Sequence, residues 1–186
     1  MNERAKAILD FWFIRSSMED WFKKDDNYDQ KIRQLFLEDL NKAISNEYDD
    51  WQDTADECVA LVILLDQFSR NLFRNTKDSF AQDYKTRLIV NEAIDRGFLE
   101  HLDQNKIHFL LMPLIHSEDI SDHEFGHKLI DTYLKSFEHY DKIKKAWEDN
   151  TIPIKKFGRY PHRNKILKRN STQEEEFFLK QSNSSW

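Results

Sequence analysis

The chain has 186 residues, long enough for one domain that buries roughly 70% of its unfolded surface. Three glycines and three prolines leave few tight turns, which argues for long helices and against a sandwich or barrel, and excludes a glycine-rich phosphate loop. A net charge of −6 argues against nucleic acid as the default partner, and a single cysteine, Cys58, rules out an intrachain disulfide.

The expected elements are all helical. Residues 3–15 carry Ala5, Ile8, Leu9 and Trp12 at helical spacing, with Phe11 and Phe13 widening the apolar face. A second helix is expected from Tyr28 to Ile44. The third, at about 54–72, holds the most informative stretch, CVALVILLDQFSRNLFR from Cys58 to Arg74. Its first eight residues are all apolar, so the helix should be central and surrounded. Asp66, Gln67, Arg70 and Asn71 then follow on the same run, placing an acid and a base on a core-facing surface. Unpaired, each ion would cost several kcal/mol there, so partners inside the molecule are required.

A fourth helix is expected over 78–96, with Phe80, Tyr84, Leu88 and Ala93 inward and Gly97 as its C-terminal cap. Residues 103–112 should form a short helix ending at Pro113, with Pro113 itself suited to the first turn of a further helix. Ser121 and Glu124 have capping-box spacing and predict a helix to Tyr140. The stretch 141–156 reads as helix broken near Thr151 by Pro153. A loop over 157–170 and a last helix from Ser171–Thr172 to Lys180 complete a domain of residues 1–180, with 181–186 as a disordered tail. The fold class is all-α, a bundle of about seven to nine helices.

Three polar stretches could carry chemistry: LLDQFSRN at 64–71, PLIHSED at 113–119 and FGRYPHRN at 157–164. His116 and Asp119, three apart, could share a helical face. Arg159, His162 and Arg163 project from a stretch, 150–173, that has seven Lys/Arg and no acid. These arginines have two possible partners. In one reading they neutralise internal carboxylates such as Asp66, Glu118 or Asp119. In the other they hold an anion. The run HEFGH at 123–127 has the letters of a zinc-protease helix, but Gly126 and a first-turn His123 speak against it, and His101, His108, His123, His127 and His139 are assigned to helix surfaces or ends. No nucleophile elbow or dinucleotide fingerprint is present.

Taken together with ILDFWF at 8–13, the blocks LLDQFSRNLFR, PLIHSED and FGRYPHRNKILKRNST resemble a bacterial and fungal family of uncharacterised proteins, the domain-of-unknown-function family numbered 924. The resemblance implies tetratricopeptide-like antiparallel helix packing. It also marks Asp66, Gln67, Arg70 and Asn71, then His116, Ser117, Glu118 and Asp119, then Arg159, His162, Arg163 and Asn164 as motif positions. One departure is Lys168, before Arg169, where the family usually has Gly.

The leading functional expectation is a polar internal pocket for a small anionic molecule. Arg70, Gln67, Asn71, Arg159, Arg163 and Glu118 would line it, with His116 or His162 moving a proton and Asp66 and Asp119 orienting them. A metal on His116, Asp119, Asp66 or His162 is an addition to that reading, and no cofactor is specified. The alternative is a tetratricopeptide-like scaffold for a protein partner, whose charged motifs are structural. Nucleic-acid binding through 155–169 ranks last. No apolar run approaches a membrane span, and the chain reads as cytoplasmic.

Overall fold

A computed structural model describes residues 1–181. The expectation for the tail falls largely on 182–186, which lie outside the described residues. Nine helices and no strand occur among the described residues, and the all-α bundle is as read from the sequence. The chain divides into two compact units, Met1–Pro113 and Leu114–Trp186, the division falling inside one helix.

In the first unit, α1 is α-helical over Glu3–Leu9 and π-helical over Asp10–Arg15. It is followed by the short α2, Met18–Phe22, opened by a Ser17–Asp20 capping box. Asp25 starts α3, Asp26–Ile44, by accepting from the backbone N–H of Asn27 and Tyr28. Helix α4 runs as Ala55–Val62, a π-helical turn Ile63–Phe68, and Ser69–Leu72. Every residue from Cys58 to Ser69 is buried, with α1, α3 and α5 (Asp83–Asp95) packed around it. Burial pushes the Cys58 thiol up to about 12 and keeps it protonated.

The two π turns meet through aromatic rings. Phe68 of α4 lies 6.3 Å from Phe11 and 5.6 Å from Trp12 of α1 by ring centroids, and Phe36 of α3 stacks on Phe68 at 5.3 Å.

Helix α5 corrects the expected phase. It begins at Asp83, after a separate 3-10 turn Lys77–Phe80, so Phe80 does not set its register. Thr86, Ile89, Val90 and Ala93 face inward, while Tyr84 and Leu88 are exposed. Gly97, at φ 75°, does terminate it, its N–H bonding the Ile94 carbonyl.

Helix α6, Gln104–His116, runs through Pro113 instead of stopping there. The proline lies in the last turn, where only one backbone bond is lost. It is buried together with Phe109, Leu110 and Leu114.

In the second unit, α7 spans Ile120–Tyr133, α8 Tyr140–Phe157 and α9 Gln173–Phe178. The start of α7 is capped by Asp119, not Ser121: Asp119 Oδ1 accepts from the Ser121 N–H at 2.9 Å and its hydroxyl at 2.8 Å. The helix expected to reach Tyr140 stops at Tyr133, and Pro153 does not break α8. Burial of Trp147, Thr151, Pro153 and Ile154 holds α8 together against the roughly 3 kcal/mol a mid-helix proline costs. The Thr172–Glu175 capping box opens α9 as expected.

Gly126 is explained by this packing. A Cβ there would stand 2.1 Å from Cζ3 of the buried Trp147 ring. Gly126→Ala is therefore expected to lower unfolding free energy by about 3 kcal/mol in urea denaturation, despite alanine's better helix propensity. The opposite sign is expected at Lys168, which adopts φ 56°, a left-handed conformation that favours glycine. Lys168→Gly should raise stability by about 1 kcal/mol in the same assay.

Candidate functional site

In the first unit, the candidate residues are gathered by the π turn of α4. Asp66 is fully buried. Its Oδ2 accepts from Gln67 Nε2 at 2.6 Å, and its Oδ1 lies 2.9 Å from a guanidinium nitrogen of Arg70. Arg70 reaches onward to both carboxylate oxygens of Asp83, at 3.0 and 3.2 Å, and its guanidinium carbon is 5.8 Å from the Phe80 ring centre. Asn71 donates to Asp29 Oδ1 at 2.7 Å, and Arg74 closes on the same carboxylate through both Nε and a terminal nitrogen. The four sequence-predicted residues are thus tied to three that sequence reasoning missed: Asp29, Arg74 and Asp83. Arg74 stood in the motif; the two aspartates carried no signal beyond being acids on neighbouring helices.

In the second unit, the other two motifs meet. Glu118 accepts from Arg169 through two nitrogens, at 2.6 and 2.9 Å, and from the Tyr160 N–H at 2.8 Å. Burial pushes this carboxyl up. The paired Arg169 bonds, the Tyr160 amide and the Arg163 charge outweigh that and hold it below its ordinary value.

Arg159 is closed on Glu175, at 2.6 and 2.8 Å, and also donates to the Asn170 carbonyl at 2.9 Å. Glu175 further accepts from the Thr172 N–H at 2.8 Å and from Asn164 at 3.3 Å. The Arg159 bonds, with Thr172 and Asn164, bring its carboxyl down to about 2. Arg169 also bonds the Asn164 amide oxygen at 3.0 Å and the Tyr160 carbonyl at 3.1 Å. Arg163 is buried with its guanidinium 4.5 Å from the Tyr160 ring centre, and the half-buried His162 ring is 5.3 Å from the same tyrosine. Glu175 and Arg169, the two central partners, were legible only as a cap and as the last of a basic run.

His116 ends α6 and Asp119 caps α7, so the two do not share a helical face. Between them the Ser117 hydroxyl donates to Asp122 Oδ2 at 2.5 Å and accepts from the Asp119 N–H at 3.0 Å.

The histidines of HEFGH are not surface groups: His123 is fully buried and His127 half-buried. His108 is buried as well. His123 Nδ1 and His127 Nε2 both lie 3.0 Å from the Thr151 hydroxyl, and His123 Nε2 faces the Ser117 carbonyl at 2.9 Å. Their shared partner is a threonine of α8. Among the described residues, no group of three or more His, Cys, Asp and Glu is arranged to hold a metal.

Against sequence-family models, residues 8–183 match "Bacterial protein of unknown function (DUF924)". The chain belongs to this family. Its fold also matches the solved structure of a protein of unknown function from Agrobacterium tumefaciens. The two are 34% identical with a TM-score of 0.86, over 94% of this chain and 96% of that one. No curated protein matches the sequence. The family carries no assigned reaction, so chemistry must be argued from the residues. Among the described residues no helix is long and apolar enough to cross a membrane.

The buried imidazoles make stability depend on pH. Burial lowers both His123 and His127 below 6.5, so the folded state holds them neutral while the unfolded chain protonates. The contribution is complete above pH 6.5 and is lost as pH falls below it, at up to about 1.4 kcal/mol per pH unit for each histidine. The Glu118 and Glu175 contributions are lost only below pH 4.5, which separates the two windows. Urea denaturation between pH 8 and 5 should show the slope. His123→Gln should reduce that slope while costing about 1–3 kcal/mol at pH 8 through its lost buried bonds.

Proposed function

We propose that the protein is a helical scaffold that binds a protein partner, with the charged motifs serving as internal braces. The observation that supports this most is the engagement of the arginines expected to hold an anion. Arg70 spans Asp66 and Asp83, and Arg159 is closed on Glu175. A guanidinium bonded twice to a partly or fully buried carboxylate gives up that pairing to take a ligand. Tetratricopeptide-like packing of antiparallel helices suits such a role, and the buried thiol of Cys58 suits a cytoplasmic, reducing setting. The basic stretch 155–169 has two of its arginines, Arg159 and Arg169, engaged by Glu175 and Glu118, which weakens the case for nucleic acid.

The second reading keeps a small anionic ligand, with Arg163 supplying charge and His116 or His162 moving a proton. It is favoured by the cluster of Arg163, Tyr160 and His162, a cation and an imidazole against one aromatic ring.

Thermal-shift measurements separate the two. As braces, Arg159→Ala and Arg169→Ala both lower the melting midpoint, Arg169→Ala by about 2 kcal/mol of stability. No metabolite anion then shifts the wild type. An anion that stabilises the wild type and loses its effect in Arg163→Met would overturn the scaffold reading.

A further inference from the structure

Where α7 meets α8, one hydroxyl serves two imidazoles. Gly126 permits that approach. With no Cβ against the Trp147 ring, α7 lies close enough for His123 and His127, a turn apart, both to reach Thr151 of α8. His123 Nδ1 and His127 Nε2 each stand 3.0 Å from Thr151 Oγ, so the two nitrogens are no more than twice that distance apart. The Thr151 hydroxyl has a further acceptor 2.7 Å away, the Trp147 carbonyl.

These contacts fix where the hydrogens sit. A carbonyl only accepts, so His123 carries a hydrogen on Nε2 for the Ser117 carbonyl at 2.9 Å. A neutral His123 then has a bare Nδ1, and the Thr151 hydroxyl is the donor in reach. Thr151 Oγ accepts in turn from His127 Nε2–H, and its own hydrogen is no longer available to the Trp147 carbonyl. One added proton rearranges this chain. It binds Nδ1 of the half-buried His127, the ring nitrogen that Thr151 does not engage. The Nε2 hydrogen of His127 passes to Thr151 Oγ, and the former Thr151 hydrogen passes to His123 Nδ1. His127 ends neutral. His123 ends charged and donates from both nitrogens, while the hydrogen now on Thr151 turns to His127 Nε2 or to the Trp147 carbonyl.

We propose that His123, Thr151 and His127 form a proton relay in which two imidazoles share a single proton, making the fully buried His123 a pH sensor that acts on the Ser117 carbonyl. A charged donor bonds roughly twice as strongly as a neutral one, so protonation tightens the hold of α7 on the link that follows α6. The next residue of that link is Glu118, which carries the Arg169 and Tyr160 bonds. Burial opposes charge on either ring, and a second charge so near the first is opposed again. The pair therefore takes up one proton where two isolated histidines would take two.

The charged surroundings are mixed at both rings. His123 faces Asp122, which favours its charge, and His116, which opposes it, with the Tyr160 ring centre 6.2 Å away. Around His127, Glu148 and Asp131 favour charge, whereas Lys155 and Lys144 oppose it. The relay is independent of whether the arginines brace the helices or hold an anion.

Long-range proton–nitrogen correlation spectra of the full chain, titrated from about pH 8 to about pH 5, test it. At the alkaline end His123 is expected as the Nε2–H tautomer, and on acidification both rings should shift with one common midpoint. Thr151→Val, similar in shape but without the hydroxyl, should leave His123 neutral throughout and His127 titrating alone. Thr151→Ser should restore the common midpoint. A hydroxyl with only a structural role would cost stability in Thr151→Val without changing which ring titrates. An Nδ1–H tautomer at His123, separate midpoints in the wild type, or a Thr151→Val titration like that of the wild type overturns the relay. Should Thr151→Val not fold, the wild-type tautomer and midpoint decide alone.

Discussion

Pairing of set-in carboxylates with arginine is the interaction on which the helical packing depends. Asp39 is met by Arg4, Asp29 by Arg74, Asp66 by Arg70, Glu118 by Arg169 and Glu175 by Arg159. The partners lie 35, 45, 4, 51 and 16 residues apart, so four of the five pairs tie distant segments. Arginine suits the task better than lysine, since its planar fork bonds both carboxylate oxygens and it is less strongly hydrated. Without such partners, each set-in acid would cost several kcal/mol.

The helices themselves were legible because their signals are local. The eight-residue apolar run of α4, Gly97 after α5 and the Thr172–Glu175 box each act within one or two turns. The misses arise where tertiary packing overrides a local rule. Pro113 and Pro153 stay inside helices because the surrounding residues are buried. Asp119 displaced Ser121 as the cap, since a carboxylate two residues earlier reaches both the Ser121 N–H and its hydroxyl. Tyr84 and Leu88 were assigned inward from a period begun at Phe80, which belongs to a different turn.

Site residues were recognisable as types, but their partners were not. An acid inside an apolar run announces that it needs a cation. It does not say which of many arginines supplies it. Arg169 on Glu118 could not be chosen over Arg159 or Arg163 from spacing alone, because the loop path from Gly158 to Ser171 decides which fork arrives. HEFGH shows the same limit from the other side. Its spacing does bring His123 and His127 to one point, as a metal motif would. The third group at that point is Thr151, and Gly126 is present because the Trp147 ring occupies the space of a Cβ.

A core this aromatic explains why so many ion pairs are retained. Relative to well-packed apolar residues, a buried pair contributes little net stability, yet separating its members costs about 3–5 kcal/mol. Fourteen phenylalanines and five tryptophans make large, weakly directional contacts that tolerate a helix sliding by part of a turn. Doubly bonded guanidiniums do not tolerate it, because each fork reaches one carboxylate in one orientation. Phe68 packs on Phe11, Trp12 and Phe36 through weakly directional ring contacts, whereas Arg70, held by Asp66 on its own helix, reaches both carboxylate oxygens of Asp83 on α5 through directed bonds. The charged blocks next to the apolar runs therefore select among packings that the aromatic residues alone leave close in energy.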